Sequence, residues 1–190
     1  MIVAAHKRLR AATAGLLTLI APRHPERGPE IAALARNAGL NALLRSEGAL
    51  PGTATDIYVA DTMGELGLVY RLAPVVFIGG SLVRHGGQNP IEAAKLGAAI
   101  LHGPHVSNFE ELYAALDAAH GAEPVDDGER LTAAFGAMLA QPAVRARVAQ
   151  AGRSAVNALG GALDRTMQAL EPYLSKLQRR RDAAQDTAHA

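Results

Sequence analysis

The chain has 190 residues, enough for one well-buried domain, with 19 Lys plus Arg against 18 Asp plus Glu and a net charge of +1. That balance argues against a nucleic-acid partner, which goes with a clear basic excess. Cysteine is absent, so there is no disulfide framework and no thiolate chemistry, and the cytoplasm is the default compartment. Hydrophobic residues make up 49% but aromatic ones only 4%, so the core must be built from Ala, Leu, Val and Ile.

Ile2 to Ala12 reads as a helix that begins next to Met1 with no N-terminal cap, and Gly15 breaks it. The basic cluster His6, Lys7, Arg8 and Arg10 followed by an apolar stretch could suggest a leader peptide. However, Leu16 to Ile20 has the content of a core strand, and no run approaches the roughly 18–20 apolar residues of a membrane span. A polar loop from Ala21 to Gly28 contains Pro22, Arg23 and His24, and Pro29 opens a helix to about Gly39. Asn41 to Arg45 is a short strand, and Asp56 to Asp61 is another. Thr62-Met63-Gly64-Glu65 reads as a capping box, with Thr62 as N-cap and Glu65 at N3, for a helix to about Leu72.

The most informative stretch follows. Val75 to Ile78 is a short β-branched run of the kind a strand covered on both faces shows. Gly79, Gly80, Gly86 and Gly87 then permit tight turns, around Ser81 and His85. Asn89 stands as N-cap, Pro90 at N1 and Glu92 at N3 of the next helix, and a helix opened by a glycine-rich loop is suited to anions. Ala98 to His102 is a strand, Asn108 caps a helix from Phe109 to Ala119, and Glu123 to Val125 is the last strand. From about 127 the pattern is helical only, in segments Leu131–Leu139, Pro142–Leu159 and Ala162–Leu174, before a polar tail from Ser175 to Ala190.

Strands alternating with helices predict a Rossmann-like parallel α/β sheet with helices on both faces. In such sheets ligands sit outside the carboxyl ends of the strands, where the loops bearing Arg23, Asp61, Gly86 and His105 fall. From local pattern alone, Arg23 and its neighbours read as readily as a solvated loop, and Glu65 and Glu92 as helix caps. No His or acid pair has metal-binding spacing, and there is no nucleophile elbow, Walker motif or first-strand GxGxxG, so no metal is assigned.

The segments APRHPERG, TDIYVADTMGELGLVYRLAPVVFIGGSLVRHGGQNPIEAAKLGAAILHGPHVSNF and ALGGALDRT resemble the carboxyl-terminal half of 3-deoxy-D-manno-octulosonic acid (Kdo) transferases, over roughly Ile2 to Leu174. The resemblance implies the GT-B architecture, in which two Rossmann-like domains face a cleft. It also implies transfer of Kdo from CMP-Kdo to the lipid A precursor, without metal or cofactor, at the cytoplasmic face of the bacterial inner membrane. By resemblance, the CMP-binding residues are Pro22 and Arg23, then Met63, Gly64 and Glu65, then Asn89, Pro90, Ile91 and Glu92, with His24, Ser81, His85, Gly86 and Gly87 as further donor contacts. The expected organisation is one donor-binding domain over 1–174, with helices from about 127, and a tail over 175–190. The family pattern also places a first, central strand before the helix that starts here at Met1, and in its amino-terminal half the membrane anchor, the acceptor surface and the general base. The expectation is therefore a donor-binding half with its first strand missing, without catalytic residues, inactive alone and cytoplasmic when unanchored. Two other readings compete: the carboxyl-terminal domain of a different nucleotide-sugar GT-B transferase, and a non-catalytic nucleotide-binding module.

Overall fold

A computed structural model describes residues 1–160 and 167–174, and the chain divides into two units, Met1–Val156 and Asn157–Ala190. The first unit alternates strands and helices. In order these are α1 (Ile2–Leu9), β1 (Thr18–Ile20), α2 (Gly28–Asn37), β2 (Ala42–Leu44), β3 (Ile57–Val59), α3 (Leu66–Leu72) and β4 (Val75–Ile78). They continue with α4 (Ile91–Lys95), β5 (Ala99–His102), α5 (Glu110–Ala118), β6 (Ala122–Pro124), α6 (Gly128–Ala140) and α7 (Pro142–Ala158). In the second unit, residues 167–174 are helical, with Met167, Leu170 and Tyr173 exposed. The expected polar tail over 175–190 lies outside the described residues, as do the first residues of the expected helix over 162–174. Among the described residues no helix is long and apolar enough to cross a membrane.

Every strand pairing among the described residues is parallel; α4 and α5 carry the crossovers β4–β5 and β5–β6, while β2 and β3 are joined by a 3-10 turn (Arg45–Glu47) and a loop. Along β5 the side chains alternate between two cores. Ile100 packs with Ala93, Ala94, Tyr113 and Leu116 from α4 and α5, whereas Ala99 and Leu101 pack with Leu131, Ala134 and Met138 from α6. Both faces of that sheet are thus covered by helices, and each fully buried Ile or Leu contributes about 1.5–3 kcal/mol. A third core joins Ala32 and Ala35 of α2 to Ala42, Leu44, Ile57 and Val59. The small residues at the helix–strand contacts explain how a chain so poor in aromatics closes its interior.

The sheet is divided. One half has the order β1-β3-β2 and the other β4-β5-β6. The Thr18 N–H donates to the Asp56 carbonyl at 3.0 Å, and the Ala60 N–H donates to the Ile20 carbonyl at 2.8 Å. Alternate residues of a parallel strand bond to opposite neighbours, so the backbone groups of Leu19 point away from β3. The Ala99 N–H donates to the Pro74 carbonyl, which by the same alternation turns Val75 and Phe77 away from β5. β1 is half-buried along its length, whereas β3 is fully buried. α1 ties the halves together: Val3 packs on the α2 core and Ile2 on the α6 core. His6 anchors this helix. It is buried, with Nδ1 2.9 Å from the Thr18 hydroxyl and Nε2 3.4 Å from an Asp56 carboxylate oxygen.

Three expected caps differ. α3 begins at Leu66, with Glu65 ahead of it, so Thr62 is not its N-cap. Gly64, at φ +86°, turns the chain before the helix starts, and the Glu65 carboxylate is taken by Arg45 instead of a backbone N–H. Asn108 does not cap α5; its side-chain amide donates to the carbonyls of His85 and Gly87, each at 3.2 Å. Asn89 is not the N-cap of α4 either: the helix starts at Ile91, one residue later than expected, with Pro90 at the N-cap, and Asn89 stands ahead of it with its Oδ1 accepting from the Ile91 N–H at 2.9 Å; α4 has five residues.

Candidate nucleotide site

The loops that follow β1, β3 and β4 all leave the carboxyl ends of parallel strands, and they carry the three groups of residues singled out in the sequence. Pro22 and Arg23 follow β1 directly. Arg23 is exposed and makes no ion pair or hydrogen bond among the described residues, while His24 lies 3.5 Å from Glu26. This loop is held against the next by a close approach at the start of α2. A Cβ on Gly28 would stand 2.5 Å from the Asp61 Cβ, so only glycine fits there.

Asp61, immediately after β3, is buried and accepts from the Ser46 N–H at 2.8 Å and the Ser46 hydroxyl at 2.6 Å. Burial pushes its carboxyl up, but the hydrogen bonds from Ser46 and then from the backbone of Asp61 and Arg45 together outweigh burial and hold it below the usual carboxylate range. The following turn is fixed by Glu65. Arg45, directly after β2, grips that carboxylate with two nitrogens, Nε to Oε2 and Nη2 to Oε1, each at 2.9 Å. The Thr62 hydroxyl donates to Oε2 as well. The Arg45 hydrogen bonds, followed by that of Thr62, lower the Glu65 pKa from 4.5 to about 2. Arg45 is the positioning partner of Glu65 that sequence reading missed. A strand-end arginine twenty residues from its partner leaves no local pattern, and the only signal was its position at the same edge as the other loops.

With both oxygens engaged, Glu65 positions the turn, and Met63 and Gly64 are left outward; the Met63 side chain is 82% exposed. The turn abuts the third segment. A Cβ on Gly67 would stand 3.0 Å from Oε1 of Glu92, and α3 packs on α4. Tyr70 lies there too, its phenol pushed up by burial and then by the Glu92 charge. The structure therefore sets Glu92 against α3, two residues beyond the Met63–Glu65 turn, with Pro90 buried and Asn89 and Glu92 exposed. Arg23 stands on the loop that reaches the same edge through Gly28 and Asp61.

The glycine loop after β4 is closely packed against Asn108. Gly86 has φ +88°, and a Cβ there would meet the Asn108 side chain at 2.5 Å. Ser81, expected to contact a ligand, is instead fully buried. Its hydroxyl donates to the Ile78 carbonyl at 2.5 Å and accepts from the Gly103 N–H at 2.8 Å, so it clamps the turn after β4 to the turn after β5. Gly86 and Gly87 are buried as well, and His85 is exposed. Among the described residues no group of three or more His, Cys, Asp or Glu could hold a metal ion.

Parallel strands covered by helices, with motif-bearing loops gathered at their carboxyl edge, define a Rossmann-like α/β domain of the kind that binds nucleotides. Comparison with known proteins makes the assignment particular: the chain is homologous to part of the Kdo transferases. It is 36% identical over 177 residues to the 3-deoxy-D-manno-octulosonic acid transferase of Haemophilus influenzae, which covers 93% of this chain and 42% of that protein. It is 42% identical over 168 residues to the transferase of the same name from Bordetella pertussis, covering 87% of this chain and 39% of that one. The chain thus spans about two fifths of the length of these relatives. Among solved structures, the C-terminal CMP-Kdo binding domain of WaaA from Acinetobacter baumannii has the same fold, with a TM-score of 0.71 and 24% identity, covering 81% of this chain and 97% of that domain. No protein-family model matches the chain.

Proposed function

We propose that this chain is the donor-binding part of a Kdo transferase, holding CMP-Kdo for transfer of Kdo to the lipid A precursor. The observation that supports the reading most is the gathering of Pro22-Arg23, Met63-Gly64-Glu65 and Asn89–Glu92 at one edge of a domain whose homologues are Kdo transferases.

The transfer breaks the bond between the sugar's anomeric carbon and the phosphate oxygen, and the electron pair leaves with cytidylate. A cation near that oxygen stabilises the departing charge. Arg23 is the group suited to this role, because its guanidinium is exposed and unpaired among the described residues and can bind phosphate bidentately. α4 has only five residues and a correspondingly small dipole, so it adds little positive field, and Asn89 and Pro90 serve mainly to place Glu92. Glu92, exposed beside the Met63–Gly64 turn, accepts hydrogen bonds from ribose hydroxyls, and backbone groups of Met63 and Gly64 meet the base. The reaction needs no metal or cofactor in this reading. The acceptor hydroxyl's proton goes to a base outside this chain, so the 190-residue chain binds donor without turning it over. In the whole enzyme the site faces the cytoplasmic side of the inner membrane, and the acceptor and membrane contacts are made by other parts.

Calorimetric titration of the purified chain with CMP, UMP and UDP tests the reading. CMP is expected to bind with one-to-one stoichiometry and to be preferred over both uridine nucleotides. Preference for UDP would assign the chain to a different nucleotide-sugar transferase, and Kdo transfer by the chain alone would contradict the missing-base account.

A further inference from the structure

Beyond the three nucleotide segments, the same edge holds a cavity of about 490 Å³ between the turns that follow β4 and β5. Arg84, His85 and Gly86 form one wall, and His105, Ser107 and Glu110 the other. Its basic groups are uncommitted. Among the described residues, neither the Arg84 guanidinium nor the imidazoles of His85 and His105 hydrogen-bond or ion-pair with another side chain. Elsewhere in the chain, cations at structural positions are engaged, Arg45 by Glu65, Arg36 by the Ala42 carbonyl and Arg153 by the Lys95 carbonyl.

The walls are also fixed before any ligand arrives. The His105 N–H donates to the Ser81 carbonyl at 2.9 Å, the Asn108 N–H to the Gly86 carbonyl at 3.0 Å, and the Gly87 N–H to the Gly80 carbonyl at 3.1 Å. The Asn108 amide bridges the His85 and Gly87 carbonyls. Three nitrogen-bearing side chains and a hydroxyl therefore project from a braced frame, and the cost of ordering the loops on binding is reduced.

We infer that this cavity is a carboxylate subsite, which takes the acid group of a sugar acid carried by the nucleotide. The inference rests on the donor reading above and deepens it. A donor of that class has two anionic groups, the phosphate and the carboxylate, whereas Arg23 can meet only one. The cavity supplies the second set of donors at the same strand edge: Arg84 can pair with a carboxylate through two parallel N–H bonds, and the imidazoles and Ser107 donate to its remaining lone pairs. Glu110, on the opposite wall, accepts from sugar hydroxyls and disfavours a second anion. The subsite thereby selects sugar acids over neutral sugars.

The test compares CMP with CMP-Kdo on the wild-type chain, on the Arg84→Ala, His105→Ala double variant and on Arg84→Lys. Wild type is expected to bind CMP-Kdo more tightly than CMP. The double variant is expected to lose roughly tenfold or more of its CMP-Kdo affinity while its CMP affinity changes less than about twofold, and Arg84→Lys to recover part of the loss. The retained CMP affinity shows that the variant is folded. CMP-Kdo bound no more tightly than CMP by wild type, or bound equally by wild type and double variant, overturns the carboxylate subsite and leaves the nucleotide reading intact. Failure of wild type to bind CMP at all overturns the nucleotide reading, and the subsite with it.

Discussion

The residue that most changes the picture of the site is Arg45, because it holds the Glu65 carboxylate and with it the turn at Met63–Glu65. Its effect has a definite pH signature. A carboxyl whose folded pKa lies below its unfolded value stabilises the fold above the unfolded value, and that stabilisation is lost as pH falls towards the folded one. For Glu65 the window runs from the ordinary 4.5 down to about 2. Urea denaturation at a series of pH values should therefore find Arg45→Ala less stable than wild type above pH 4.5. The difference should narrow through the window and vanish near pH 2. A difference independent of pH would mean that Arg45 acts through packing alone. Sequence pattern assigned Glu65 to a capping box because Thr62 and Glu65 have the right spacing, but spacing cannot register a competing cation from a strand twenty residues away. His6 illustrates the same limit. It belongs to a basic cluster in the sequence, yet it is buried against Thr18 and Asp56.

At the scale of elements, the clamp between the turns after β4 and β5 decides the shape of the glycine loop. The Ser81 hydroxyl bonds to the Ile78 carbonyl and the Gly103 N–H. Ser81→Ala leaves that buried N–H without a partner, which costs about 1–3 kcal/mol. The expected result is a lower urea midpoint at unchanged slope, and a midpoint equal to wild type would contradict the clamp. Gly28→Ala should also destabilise, by about 1–3 kcal/mol, because its Cβ overlaps Asp61 and the β1 loop must shift. Most elements were legible. Runs such as Val75–Ile78 and Ala99–His102 are apolar, short and flanked by glycine or proline, so they can only be buried strands. Helix ends were less so, since Asn108 has the composition of a cap but finds better partners in the His85 and Gly87 carbonyls.

For the whole molecule, the divided sheet and the gathered loops are the two facts that matter. Leu19, Val75 and Phe77 turn their N–H groups to strand edges that pair with no other strand among the described residues. Hydrogen exchange should be much faster at these three amides than at Tyr58 or Leu101 in the middle strands, and equal protection would show that the halves are bridged. Only the alternation of elements could be read from the sequence at this scale, because the order of strands is set by which faces pack. The central claim is that three separated segments form one nucleotide site. It is tested most directly by two-dimensional NMR of the isotope-labelled chain during titration with CMP. The account predicts shifts concentrated at Pro22–His24, Met63–Glu65 and Asn89–Glu92, where the proline at position 90 is read through its neighbours. Shifts confined to other surfaces, or none at saturating CMP, would contradict it.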